Sequence, residues 1–332
     1  MKKYFFYFAL IFITINIYSQ SSKPRYLFKI ATDAPQNSTW YQALKAINKE
    51  LYFGTNKEVA MQLYAGGVMG NQTTVIKKIK LGQLSGATFS NSGLQIIYKD
   101  FNIVGFPLMI RSEEDYDYFK QQLGPFFEQK LNEKGFKLLG WSETGPIYVF
   151  SKKPVNSAGT LRNSKPFVLE GDNTSLALFK EIKATPVPLD TSDILTSLQT
   201  GQIDTVFSPP YGLISLQWSS KVNYMADFPI TFMIGAVVVD RELFDSMPKN
   251  YQKLMLSLFR KHFKSLTQKI RAENDNALLA LKKYGIKFLE VPEEEKKVFY
   301  DVCNKTNLFL LKSEGLSMDV YKKVNDTMLK RR

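Results

Sequence analysis

One cysteine and one histidine in 332 residues rule out much of the usual chemistry before any pattern is considered. Cys303 has no partner within its own chain, so no internal disulfide forms and stability must come from packing. A zinc site of the usual kind draws on about four His or Cys donors, more than this chain holds. A Ser-His-Asp or Cys-His device would have to use His262, which lies in a long helical stretch far from any strand end. No P-loop, G-x-G-x-x-G fingerprint or G-x-S-x-G elbow occurs. The expectation is therefore a chain without metal or cofactor that is not an enzyme. Carboxylate pairs stay open, because any fold places Asp and Glu near its clefts. An exported enzyme is kept as an alternative on that ground.

Long apolar runs are also scarce. Tyr4 to Ile13 is uninterrupted, but a membrane span needs about 20 such residues. With Lys2 and Lys3 before it and Ser19-Gln20 after it, the run reads as a secretory signal peptide over residues 1–19, removed on export. No cysteine stands near that cleavage point, so a lipid-modified N-terminus is not expected. The expected location is periplasmic. Formal charge is +13, and loss of Lys2 and Lys3 leaves +11. The basic residues are scattered among acidic ones, apart from Lys330-Arg331-Arg332. That is a solvated surface, not a nucleic-acid footprint. Hydrophobic residues make up 44% of the chain, with 25 Phe and 17 Tyr, enough to bury real cores.

What is present is α/β alternation. Residues 26–31 read as a buried strand, and Trp40, Leu44, Ile47 and Leu51 form a helical stripe after the breaker Pro35. Residues 58–64 read as a second strand and Ala87 to Ser90 as a third. Between them Gly66, Gly67 and Gly70 turn the chain into a helix capped by Asn71. That turn is either an ordinary strand-to-helix corner or an anion cradle. The same logic recurs with strands at 166–169, Pro186 to Leu189 and 203–207. From Pro248 to Gly285 a helical period runs without a breaker. At ~1.5 Å per residue that is roughly 55 Å, longer than one lobe is wide. Further helices start at Pro292 and around Val320.

The expected fold is α/β, a two-lobed periplasmic-binding-protein architecture with the long helix spanning both lobes and a ligand cleft between them. Lobe I is expected over 20–148 with parts of 236–275, and lobe II over 149–235 with parts of 276–332. In open α/β sheets, ligands sit beyond the carboxyl ends of strands, here the loops Thr32–Thr39, Gly66–Asn71, Ser90–Gly93, Glu170–Asn173 and Ser208–Tyr211.

Four stretches carry a family resemblance. They are Ala31-Thr32-Asp33-Ala34-Pro35, Leu63 to Gly70 with the helix ending Lys80-Leu81-Gly82-Gln83-Leu84, Phe106-Pro107-Leu108, and Pro188 to Asp204 around Leu198-Gln199-Thr200-Gly201-Gln202-Ile203-Asp204. In order and spacing the chain resembles the solute-binding proteins of TRAP transporters, of the C4-dicarboxylate-binding type. The resemblance implies capture of a small ligand and delivery to TRAP membrane permease subunits; a monomer is expected. An envelope carrier of lipid or small molecules, or a docking protein without a permease, is the other alternative. Acid-binding members place an arginine where this chain has Phe167, and further arginines where the alignment puts Ile147 and Leu94. A neutral or apolar ligand is expected in place of a simple dicarboxylate, with aromatic walls from Phe167, Trp141, Tyr211 and Trp40. Glu170 could instead select a cation, and Arg162, Lys165 or Lys152 could reach the site from another position. Polar contacts are expected from Thr32, Asp33, Gln72, Asn91, Thr191 and Ser208.

Overall fold

The computed structural model describes residues 23–169 and 172–331, so the expected signal peptide and Glu170 lie outside the described residues. Ten strands are formed among the described residues: β1 (Tyr26–Ala31), β2 (Val59–Tyr64), β3 (Gly86–Ser90), β4 (Phe136–Ser151), β5 (Phe167–Leu169), β6 (Val187–Leu189), β7 (Thr205–Ser208), β8 (Tyr224–Ala226), β9 (Thr231–Asp240) and β10 (Lys287–Leu289). Eight of them make one sheet in the order β10-β8-β4-β9-β3-β1-β2, with β7 also paired to β4. β1, β2 and β3 run parallel, as the strand-helix alternation requires, while β9 and β4 are antiparallel additions. β5 and β6 form a separate parallel pair, linked to β7 through a Pro166–Thr205 bridge.

β4 and β9 make the two lobes one molecule. The first half of β4 pairs only with β9 and belongs to lobe I. Its last residues, Tyr148 to Ser151, pair with β7 and β8 of lobe II. Because side chains alternate across a strand, β9 feeds both faces of the lobe I sheet. Ala236 and Val238 pack with Phe101, Phe119 and Phe127, whereas Val237 and Val239 pack with Leu44, Ile47 and Phe259. Lobe II repeats the arrangement. Val149 and Val168 face Phe179 and Phe299, and Phe150 and Phe167 face Leu198 and Trp218.

The long helix Lys249–Lys283 has 35 residues, with Pro248 at its N-cap and Gly285 beyond its C-cap at φ +89°. Proline suits that entry, and only glycine takes such a φ without strain. Met255, Phe259, Phe263, Leu266 and Ile270 sit in lobe I, and Leu281 sits in the core of lobe II. The helix therefore crosses from one lobe to the other. The last helix, Met318–Leu329, returns to lobe I, where Val320, Val324 and Met328 are buried.

Candidate functional site

Where the strands of lobe I end, the loop after β1 is fixed by one hydroxyl. Thr32 Oγ1 accepts from the Thr88 hydroxyl at 2.8 Å and from the Ala34 N–H at 3.2 Å. The Gly67 N–H donates to the Thr32 carbonyl at 3.1 Å and the Gly66 N–H to the Ala34 carbonyl at 3.0 Å. These bonds tie the Gly66 and Gly67 N–H groups to the loop after β1, as a strand-to-helix corner does. Ser38 then caps the helix Thr39–Gly54 by accepting from the Tyr41 N–H. On the neighbouring loop, Gln72 opens the helix Gln72–Lys80. Its amide donates to Ser90 Oγ at 2.9 Å and accepts from the Ser90 N–H at 3.3 Å.

These loops face a segment of lobe II across a cavity of 310 Å³, bounded on the lobe I side by Thr32, Asp33, Trp40, Gln72, Thr88, Phe89, Ser90 and Ile234. Pro209, Tyr211 and Gly212 border it from the loop after β7, and Thr144, Ile270, Glu273 and Asn274 line the hinge. The size suits a small molecule. Asn274 ties the hinge together. Its amide donates to the Thr144 carbonyl at 3.0 Å, and its oxygen accepts from the Tyr211 N–H at 3.1 Å. Glu273 accepts a hydrogen bond from the Thr39 hydroxyl.

Of the residues singled out from the sequence, Thr32, Asp33, Trp40, Gln72 and Tyr211 line this cavity. Ser208 stands directly behind it, its hydroxyl turned back to the Pro209 carbonyl at 2.9 Å. Asn91 braces the wall, its amide bridging the Ile234 carbonyl and the Gly105 N–H. The remaining residues lie elsewhere. Leu94 and Ile147 are buried, and Thr191 is exposed in a short 3-10 turn. Trp141 stacks on Phe101 and meets Phe119 edge-on, inside lobe I. Phe167, 6% exposed, packs against Trp218 and Phe207 with ring centroids 5.9 and 6.3 Å away. Of the four expected aromatic walls, Phe167 is therefore a core residue, and Trp141 is half-buried against the lobe I core beside a different cavity, lined also by Phe263 and Arg271.

The cations weighed as substitutes are engaged outside the cavity. Lys152 donates to the Leu198 carbonyl, Arg162 to that of Ile182 at 2.8 Å, and Lys165 to that of Gly201 at 3.5 Å. Glu273, Asn274 and Thr144 were missed. Asn274 had a signal: it falls four residues after Ile270 and three before Ala277, a polar residue in an otherwise apolar stripe.

On the other side of the hinge, Glu143 is fully buried and takes a bidentate pair from Arg271, Nε to Oε1 at 2.8 Å and Nη2 to Oε2 at 2.9 Å. Arg271 also meets Asp117 at 2.9 Å and Glu113 at 3.2 Å. Burial holds the Glu143 carboxyl above its usual value despite that partner, and burial pushes Glu113 up to about 7.

A profile of the bacterial extracellular solute-binding protein family 7 (DctP) matches residues 30–309. The chain belongs to that family. Solved TRAP solute-binding proteins share its two-lobed fold. One from Desulfovibrio salexigens, with bound orotic acid, superposes with a TM-score of 0.81 at 17% identity, covering 92% of this chain and 99% of that one. Another from Ochrobactrum anthropi gives 0.84 at 18% identity, covering 92% and 95%. Among curated relatives, the 2,3-diketo-L-gulonate-binding periplasmic protein of Escherichia coli K12 is 22% identical over 96% of this chain and 97% of its own. The C4-dicarboxylate-binding periplasmic protein of Rhodobacter capsulatus is 22% identical over 75% of each. The chain is thus a TRAP solute-binding protein, a binding component and not an enzyme. No helix among the described residues is long and apolar enough to cross a membrane.

Proposed function

We propose that the protein captures a small molecule in the cavity between the lobes and delivers it to TRAP permease subunits, acting as an exported monomer whose signal peptide is removed. We further propose that the ligand is neutral or largely apolar in body and is not a simple dicarboxylate. One observation carries the ligand reading: among the described residues, the lining holds no lysine, arginine or histidine. Closing two lobes on a carboxylate strips its water, and without a cation that cost stays uncompensated. Phe89, Trp40, Ile234 and Ile270 supply the apolar surface instead.

Native mass spectrometry of protein purified without refolding, followed by identification of the extracted molecule, tests this. A bound molecule without a carboxylate is the expected result, and a dicarboxylate would overturn the ligand reading while leaving the transport role. Thermal scans give a second check. A true ligand at about 100 times its Kd stabilises the fold by about 2.7 kcal/mol, and small dicarboxylates should give no shift.

A further inference from the structure

The molecule as a whole carries a formal charge of +13, yet the cavity has the opposite sign. Among its lining residues the charged groups are Asp33 and Glu273. They come from different elements, Asp33 from the loop after β1 and Glu273 from the long helix, so no local sequence cluster placed them together. Glu273 is anchored by the Thr39 hydroxyl. Asp33 makes no hydrogen bond or ion pair among the described residues, and burial alone raises its carboxyl. It keeps an exposed face in the open cleft, but the loops around it already remove part of its water.

An unpaired carboxylate at the mouth of a closing cleft is costly unless something positive arrives with the ligand. Acidic groups also lie beyond the hinge. Tyr148, on the last part of β4, is pushed up to about 12 by burial and by the charges of Asp227, Glu113 and Asp275. Arg271 on the long helix is already committed to Glu143, Asp117 and Glu113. Trp40 adds an indole to the wall, and an indole face attracts a cation more strongly as water is excluded.

We infer that the cavity recognises an organic cation: a small molecule with an apolar body and a protonated amine or quaternary ammonium group held by Asp33 and Glu273 beside Trp40. The assignment rests on the cavity being the ligand site; it keeps the apolar body of the proposed ligand and replaces a neutral end by a cationic one.

The test is a thermal-shift panel on the mature chain. It contains primary amines and quaternary ammonium compounds of six to twelve heavy atoms in roughly matched trios, each with an uncharged isostere and a carboxylate isostere. Hits are followed by titration of wild type, Asp33→Asn and Glu273→Gln. Cations should stabilise the protein while their isosteres do not, and each substitution should weaken binding at least ten-fold. Because burial disfavours the Asp33 carboxylate and no partner offsets that cost in the free protein, Asp33→Asn should leave the ligand-free melting temperature at neutral pH no lower than that of wild type. Stabilisation by the uncharged or carboxylate members, or cation binding that ignores both substitutions, overturns the cation assignment but keeps the cavity as a ligand site. A panel without any hit, on protein that also carries no co-purified molecule, overturns both.

Discussion

Glu143 shows what one buried charge demands of its surroundings. Its side chain has no exposure, and two guanidinium bonds from Arg271 satisfy both oxygens. Removing the arginine strands the carboxylate, which costs about 3–5 kcal/mol in comparable buried pairs. Arg271→Ala should therefore lower the denaturation midpoint strongly, and adding Glu143→Gln should recover part of the loss. Glu113 behaves differently because its carboxyl is raised to about 7. A carboxyl raised in the folded state favours folding fully below its unfolded value, and that contribution is lost as pH rises through about 7. Glu113→Gln should thus raise the melting temperature at pH 8 and change it little at pH 4, as paired thermal scans would show.

At the scale of elements, the crossing strand β4 carries the hinge. Its pairing with β9 slips twice, between Leu138 and Gly140 and between Glu143 and Gly145. Such irregularities bend a strand and re-aim the residues beside them. The second slip brings Thr144 to the cavity lining, and Thr144 offers its carbonyl to Asn274. Gly145 sits at φ +110°, and a Cβ there would stand 2.6 Å from the Asn274 amide nitrogen. Gly145→Ala combines backbone strain of ~1–3 kcal/mol with a collision at the residue that holds the Tyr211 loop. It should lower stability and weaken ligand binding together, read by a denaturant titration and a binding isotherm on the same preparation.

For the whole molecule, two cores on each side of the hinge make each lobe a packed body, and the cavity lies between them. β4, β9 and the helix Lys249–Lys283 span the junction. Closure by rotation of the two lobes would bury the ligand with little repacking of either core. Small-angle scattering should show a smaller radius of gyration once ligand is added. An unchanged radius with saturated binding would mean that the cleft does not close on its ligand.

The sequence determined the parts governed by local physics. Strands β1, β2 and β3, the cap at Asn71, and both ends of the long helix follow from apolar period, polar caps, proline and glycine. Membership of the family was legible too, from short stretches in a fixed order. β4 and β9 as crossing strands were not read: Gly140, Gly145 and Pro146 interrupt the alternation of β4, and β9 is too continuously apolar to show which face it presents. Phe167 and Trp141 looked like ligand walls, but the side of the sheet on which an aromatic packs is set by neighbours distant in the chain. Only the tertiary structure brought Asp33, Glu273 and Asn274 to one cavity, because a site shared by two loops and a helix has no spacing along the sequence to reveal it.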